Sequence, residues 1–369
     1  MKILYDHQIF QYQRVGGISK YFAELIRAMQ EIDNTDTEII CTYSNNQHIA
    51  DKLNLTLKPI QTKPYNGKLF NKVYNKSITF RVDKLNKKNS LTALQQPFDV
   101  FHPTYYNPYF LSELKKPFVI TVHDMIHERF PELFLKDKTT SKHKRLLCEK
   151  ASRIIAISHS TKRDLIEFFN IPEEKIDVIY HGVHLYPLED ADNLPMLTKP
   201  YFLYVGSRGG YKNYRTAAKA FAAFSKKHPD SELILAGAPL DATEEQLHKE
   251  LGILKRIKCL QLNDHELQIA YKNAIALIYP SRYEGFGMPI LEAFAQGCPV
   301  ICSNTSSMPE VGGEWANYFE PMDDAALTVL LKKTFENPLV QQDKNSLKNW
   351  AAKFTWERCA STTLQSYNS

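Results

Sequence analysis

No run of eighteen apolar residues occurs in this chain, so no transmembrane helix is expected. The first ten residues, MKILYDHQIF, hold no long apolar segment, and no secretory leader is expected from them. Cysteine is scattered: six residues, at 41, 148, 259, 298, 302 and 359, with no CxxC pair. That excludes the usual zinc spacing and fits free thiols in a reducing compartment, with Cys298 and Cys302 in a buried strand. There is no internal repeat, no low-complexity tract and no strong charge of one sign, since 46 Lys and Arg stand against 41 Asp and Glu for a net +5. What is present is ordinary globular composition, 43% hydrophobic and 24% charged. Disordered, collagen-like and multi-span membrane chains are thereby excluded. A length of 369 residues points to two domains, each large enough for its own core without disulfides.

Short apolar runs alternate with helical periodicity. Strands are expected at 2–5, 38–42, 99–101, 118–122, 154–157 and 177–180, then at 201–205, 232–236, 258–262, 275–279 and 299–302. Helical patterns lie between them, at 18–30, 161–169, 215–227, 266–273 and 289–296. This alternation implies an α/β protein with two doubly wound parallel sheets, Rossmann-like in type. The two series part at His184–Pro200, which carries three prolines and an acidic cluster and reads as a linker. Asp190-Ala191-Asp192 within it imitates a metal-binding Asp-x-Asp, but a linker is the wrong place for one. The expected division is 1–186, a linker at 187–198, 199–352, and a closing segment 353–369. Ligands of such sheets bind outside the strand C-termini, in a cleft, so the residues just after strands carry the search for a site.

The richest stretch is YPSRYEGFGMPILEAFAQGCP, 279–299. A strand ends at Tyr279; Gly285 and Gly287 follow, then Pro289 at a helix start and Gly297 past the helix end. Glycines let backbone N–H groups approach a ligand, and the helix points its positive end at the same place, which suits a phosphate. Glu284 and Glu292, spaced E-x7-E, are suited to pairs of adjacent sugar hydroxyls; the bland reading is a loop charge and a surface helix residue. After the strand at 201–205 comes GSRGGYKN, where Arg208 and Lys212 bring two positive charges to a glycine-rich turn, either for a diphosphate or as solvated loop charges. Gly16 and Gly17 precede a helix and form another backbone anion site. His123 ends the run FVITV, placed to hydrogen-bond a sugar or to serve structure; a metal pair with His127 lacks a third ligand. His102 also ends a strand and is read as a rim residue. Ser158, His181 and Gly182 are read as mainly structural.

PSRYEGFGMPILEAFAQGCPVI, with SSMPEV at 306–311, closely resembles the nucleotide-sugar site of glycosyltransferase family 4, the retaining GT-B enzymes. The resemblance is strong over 200–320, moderate over 98–185 and thin over 43–97. It implies a GT-B fold with an acceptor domain first and a donor domain second. Glu284 then contacts donor sugar hydroxyls and Glu292 the ribose. The N–H groups of the loop spanning Gly285, Phe286, Gly287, Met288, Pro289 and Ile290 face sugar and diphosphate. Lys212 matches the family's basic residue in its Lys-Asn context, whereas Arg208 departs from the pattern because Ser207 intervenes after the glycine. Gly16-Gly17 matches a glycine-rich loop facing diphosphate or acceptor, and His123 a histidine beside the donor sugar that positions rather than acts as a base. FTWERCASTTLQSY resembles a closing helix that crosses back to the first domain, with Trp356 in the core.

The function so implied is retaining transfer of a hexose, mannose from GDP-mannose, to a hydroxyl of a glycan or lipid-linked acceptor in surface polysaccharide assembly. A UDP-sugar donor is the alternative, and a non-catalytic GT-B subunit, a GT-B epimerase and a nicotinamide enzyme are the rival classes. The last lacks GxGxxG after its first strand, and the long E-x7-E context argues against the epimerase. No metal or cofactor and no nucleic-acid partner is expected. Finally, residues 63–88 hold eight Lys or Arg against one Asp. Phe70, Val73, Tyr74, Ser77, Ile78 and Leu85 fall on one helical face there. The segment reads either as a solvated helix packed on its own domain or as a peripheral contact with an anionic membrane. The latter would place a cytoplasmic protein at the inner face of the membrane.

Overall fold

The computed structural model describes the chain except for residues 54, 56, 61–67, 190 and 191 and the side chains of 68–76. It divides into two compact units: 1–157 with 162–180 and 356–369, and 158–161 with 181–355.

In the first unit, β1 (Lys2–Asp6), β2 (Asp36–Ile40) and β3 (Val100–His102) form one parallel sheet in the order β2-β1-β3. A second parallel sheet holds β4 (Val119–Val122), β5 (Arg153–Ala156) and β6 (Ile176–Val178) in that order. A single parallel bridge, Phe101 to Phe118, joins the two. Strands covered on both faces must be apolar on both, which is why ILY and VITV read as continuous runs. The two-residue period sorts them. Ile3, Tyr5, Val100 and Val119 pack with helix Gly17–Gln30, while Leu4, Phe101, Ile120 and Ile154 enter the opposite core. The terminal helix Trp356–Tyr367 packs in the first of these cores through Trp356, Cys359 and Ala360.

The second unit has one six-stranded parallel sheet in the order β12-β11-β10-β7-β8-β9. Its strands are β7 (Tyr201–Val205), β8 (Glu232–Ala236), β9 (Ile257–Leu260), β10 (Leu277–Tyr279), β11 (Val300–Ser303) and β12 (Asn317–Phe319). The edge strand β12 has no counterpart among the expected strands, because Asn317-Tyr318-Phe319 has a single buried residue and no apolar run. Cys298 and Cys302 are buried at and beside β11. The described part of 184–200 is not a loose tether. Tyr186 O accepts from Gln296, Met196 O from Lys258 and Glu189 O from Lys272, and Leu194 is buried. Asp190 and Ala191 of the Asp-x-Asp imitation lie outside the described residues.

Helix Lys68–Ala93 turns a different face inward from the one expected. Val82, Asn86 and Ser90, four residues apart, are buried, and Asn86 Oδ1 accepts from the N–H groups of Thr42 and Tyr43. Ser77 is exposed, Leu85 is 44% exposed and Phe80 69%. The expected positions 63–67 lie outside the described residues, as do the side chains of Phe70, Val73 and Tyr74. Among the described residues, no helix is long and apolar enough to cross a membrane.

Candidate active site

Two turns of the second unit, each following a strand C-terminus, are stitched together. Asn213 adopts the left-handed conformation, φ 54°, which asparagine tolerates better than most residues. From there its Nδ2 donates to Pro280 O (2.9 Å). Arg282 N donates to Tyr211 O (2.7 Å). The turn after β7 is thereby fixed against the loop after β10.

That stitching brings two of the expected residues into contact. Lys212 Nζ donates to both oxygens of Glu284, at 2.8 and 3.0 Å. The ammonium also lies over the rings of Tyr211 (5.3 Å) and Tyr279 (5.8 Å). Glu284 is buried and Lys212 largely so. Burial first, and then the Glu284 carboxylate, hold the Tyr279 phenol far above its ordinary pKa. The result is a charged donor and a charged acceptor side by side in an apolar, aromatic setting, where electrostatic interactions are stronger than in water.

Beside the clasp, Gly287 begins helix Met288–Ala295 with φ 107°. A Cβ there would also come within 3.3 Å of Ile290 Cδ1, so the position favours glycine on two grounds. The residues from Gly285 to Ile290 thus form the loop and first helical turn, and the Phe286 ring packs at a tilt of 43° against that of His181 (4.9 Å between centroids). His181 is buried, and burial pushes its pKa down to about 3, so it is a neutral support for that ring. Glu292 lies further along the helix, buried, and accepts from the Tyr271 hydroxyl (3.2 Å).

Arg208 is not fixed beside Lys212. Its Nε and Nη2 form a two-pronged pair with Glu244 (2.8 and 2.9 Å), and Nη2 also donates to Pro239 O. Burial works to raise the Glu244 pKa, but the fork with Arg208 and the Asp241 N–H outweigh it and hold the group below its ordinary value. Glu244 is the third residue of helix Ala242–Glu250 and part of its capping box, so Arg208 is tied to a rigid helix start.

In the first unit, Gly16 precedes helix Gly17–Gln30 with an extended φ of 179°. A Cβ on Gly16 would lie 2.3 Å from Gln13 Oε1, the end of a flexible side chain, whereas one on Gly17 would meet nothing within 4 Å. The same Gln13 oxygen accepts from Ser19 N (3.1 Å). One of the helix's leading N–H groups is therefore already capped from within the chain. His123 follows β4, buried, with its ring edge-on to Tyr21 (5.0 Å) and Phe22 (5.7 Å) of this helix; its own N–H donates to the Tyr106 hydroxyl. His123 thus packs on the helix that Gly16 and Gly17 begin. His102 is no rim residue. It is fully buried, and its two ring nitrogens bond the Tyr367 and Thr121 hydroxyls. The reason is that the terminal helix brings Tyr367 to it from 265 residues away.

Asn213, Tyr211 and Tyr279 were missed as individual site residues. The Lys-Asn pair after a glycine-rich turn was the available signal for Asn213; nothing local marks the tyrosines, whose proximity to Lys212 is tertiary.

Against known proteins, the family model described as Glycosyltransferase Family 4 matches residues 15–186, and the one described as Glycosyl transferases group 1 matches 188–354. The chain is 26% identical to the O-antigen chain mannosyltransferase B of Escherichia coli over all of this chain and 99% of that protein. It is 28% identical to the O-antigen chain mannosyltransferase RfbU of Salmonella typhimurium over 63% of this chain and 69% of that one. Among solved structures, the sucrose-phosphate synthase of Thermosynechococcus elongatus superposes with a TM-score of 0.74 at 22% identity, covering 100% of this chain and 98% of that one. HepE of Anabaena, in complex with UDP-glucose, also gives 0.74, at 17% identity and with 100% and 99% covered. These likenesses identify the fold as GT-B, built from two Rossmann-like units.

Proposed function

We propose, for a chain that belongs to the family 4 and group 1 glycosyltransferases, that it moves mannose from GDP-mannose, with retention, to a hydroxyl of a glycan or lipid-linked oligosaccharide. That it is a glycosyltransferase follows from the family; donor, stereochemistry and acceptor are the proposal. Both mannosyltransferase relatives support the choice of sugar. The observation that carries the mechanism is the clasp between Lys212 and Glu284 beside the start of helix Met288–Ala295.

In this reading the donor diphosphate lies against the loop and helix start, and Lys212 faces the phosphate oxygen that becomes the leaving group. As the sugar–oxygen bond breaks, negative charge grows on that oxygen, and a fixed ammonium stabilises it without reorganisation. Glu284 accepts from hydroxyls of the sugar while remaining paired to Lys212, which ties sugar position to leaving-group position. Departure and attack occur on the same face: the acceptor oxygen bonds the anomeric carbon, and its proton passes to the departing phosphate oxygen. Glu292, oriented by Tyr271, takes the ribose hydroxyls. Arg208 can add a second charge only by leaving Glu244, so Lys212 carries the main role. In the first unit, His123 positions a sugar hydroxyl, and the helix start at Gly16-Gly17 serves a phosphate or the acceptor. No step of this scheme draws on a metal or cofactor.

Thermal unfolding with GDP, UDP, ADP or no nucleotide tests the donor. A nucleotide at ~100 times its Kd adds about 2.7 kcal/mol of stability. A shift with GDP alone is the expected outcome; a shift with UDP alone overturns the donor and leaves the reaction class intact.

The proposal extends to a peripheral contact with an anionic membrane through helix Lys68–Ala93. Its support is the outward set Phe80, Arg81, Lys84, Leu85 and Lys88, which joins two exposed apolar side chains to three cations. The protein should sediment with vesicles containing anionic lipid at low salt and not with neutral ones. Equal recovery in both supernatants would reject the contact.

A further inference from the structure

Three hydroxyls from outside the loop Glu284–Gly287 take its carbonyls. Ser307 Oγ lies 2.9 Å from Glu284 O and 2.8 Å from Phe286 O. Ser158 Oγ donates to Gly285 O at 2.7 Å, with Thr161 Oγ1 at 3.3 Å from the same oxygen. Three consecutive carbonyls are therefore tied. A peptide unit is planar and trans, so each C=O points opposite to the N–H of the next residue. Fixing the carbonyls of 284, 285 and 286 fixes the N–H groups of 285, 286 and 287 to point away from the hydroxyls.

The serines stand where their hydroxyls have a competing use. Ser307 occupies the N-cap of helix Met308–Gly312, where serine ordinarily accepts from the helix's leading N–H groups, yet its side chain caps nothing. Its one proton is shared between two loop carbonyls instead. Ser158 does both: it accepts from Thr161 N (3.0 Å) ahead of helix His159–Phe169 and gives its proton to Gly285. All three hydroxyl-bearing residues are fully buried, so the bonds are shielded from water. Glu284 N, in turn, donates to Ser306 Oγ (2.9 Å), which fixes the loop's entry.

We propose that Ser307, with Ser158 as its counterpart, is a positioning residue for the donor: the two hydroxyls turn the peptide planes of Glu284–Gly287 so that the loop presents N–H groups to the diphosphate. This rests on the reading of that loop as the diphosphate site. It differs from a packing role in what it affects, since peptide orientation matters to the phosphates and not to the nucleoside.

The test compares wild type, Ser307→Ala, Ser307→Thr and Ser158→Ala for binding of GDP and UDP by calorimetry and of guanosine and uridine by ligand-observed NMR, with Tm for each protein. Loss of the Ser307 hydroxyl should weaken the preferred nucleoside diphosphate about tenfold, the scale of one buried hydrogen bond. Nucleoside binding should hold within about twofold on the same ground, and Ser307→Thr should restore diphosphate binding. Equal weakening of diphosphate and nucleoside, or no weakening of the diphosphate, overturns the assignment. Should Ser307→Ala not fold, Ser158→Ala decides by the same comparison. Failure of the donor reading shows separately, as an unsubstituted protein that binds neither GDP nor UDP.

Discussion

Lys212→Ala should lower transfer by about 10²–10³-fold while leaving the chain folded, the range seen when one fixed donor facing a developing oxyanion is removed. The effect belongs mainly in kcat, because the charge Lys212 faces grows only as the sugar bond breaks. The loss has a second component. Without the ammonium, the buried Glu284 carboxylate keeps the Tyr279 hydroxyl and loses its counter-charge. Lys212→Arg should not restore the rate, since a planar fork cannot reproduce a compact ammonium seated over two tyrosine rings. Glu284→Gln should also reduce transfer, and the double variant should lose less than the product of the singles, because the two groups act as a unit. Steady-state kinetics with a radiolabelled donor, alongside Tm, check each point. Turnover near wild type in Lys212→Ala would falsify the mechanism proposed for the clasp.

Glu128→Leu is expected to destabilise the first unit by about 3–5 kcal/mol, the cost of stranding one member of a buried ion pair. Lys144 is 0% exposed along its side chain and Glu128 4%, with Nζ to Oε2 at 2.8 Å. The same ammonium donates to Asp124 O (2.9 Å) and lies 5.4 Å from the centre of the Tyr106 ring. Removing the carboxylate leaves a cation sealed in that environment. On a unit of this size the melting transition should fall by on the order of 10 °C. Glu128→Leu combined with Lys144→Met should recover most of the loss, because a buried pair replaced by apolar groups of similar volume is often neutral. Calorimetry reads both. A single substitution costing under about 1 kcal/mol, well below that of a stranded charge, would show that water reaches the pair. The pair also bears on the site, since it anchors Asp124, the residue after His123.

Much of this was legible from residue order. Strand and helix alternation followed from apolar runs and helical periodicity, and eleven of the strands lie within a few residues of their expected positions. The twelfth, Asn317–Phe319, is recognisable only by its pairing with β11, because three residues at a sheet edge need no apolar pattern. Helix Lys68–Ala93 reads as a helix from its composition, but its buried face depends on what it meets. Asn86, polar in sequence, faces inward because the backbone at Thr42 and Tyr43 offers it two N–H groups.

The candidate site divides in the same way. Residue order alone determined that a glycine-bearing loop and a helix follow β10, that a basic glycine-rich turn follows β7, and that carboxylates stand at 284 and 292. These are properties of local backbone conformation and of residue type, which neighbours in sequence specify. Tertiary structure decided the pairings. It set Lys212 on Glu284 and Arg208 on Glu244, although both cations lie in the same short turn. It sealed His102 beneath Tyr367, and it turned Ser307 from the cap of its own helix to the carbonyls of a loop more than twenty residues away. The physical reason is that an ion pair or a buried hydrogen bond is selected by distance and desolvation among groups the fold assembles, and neither quantity exists until strands far apart in sequence lie side by side.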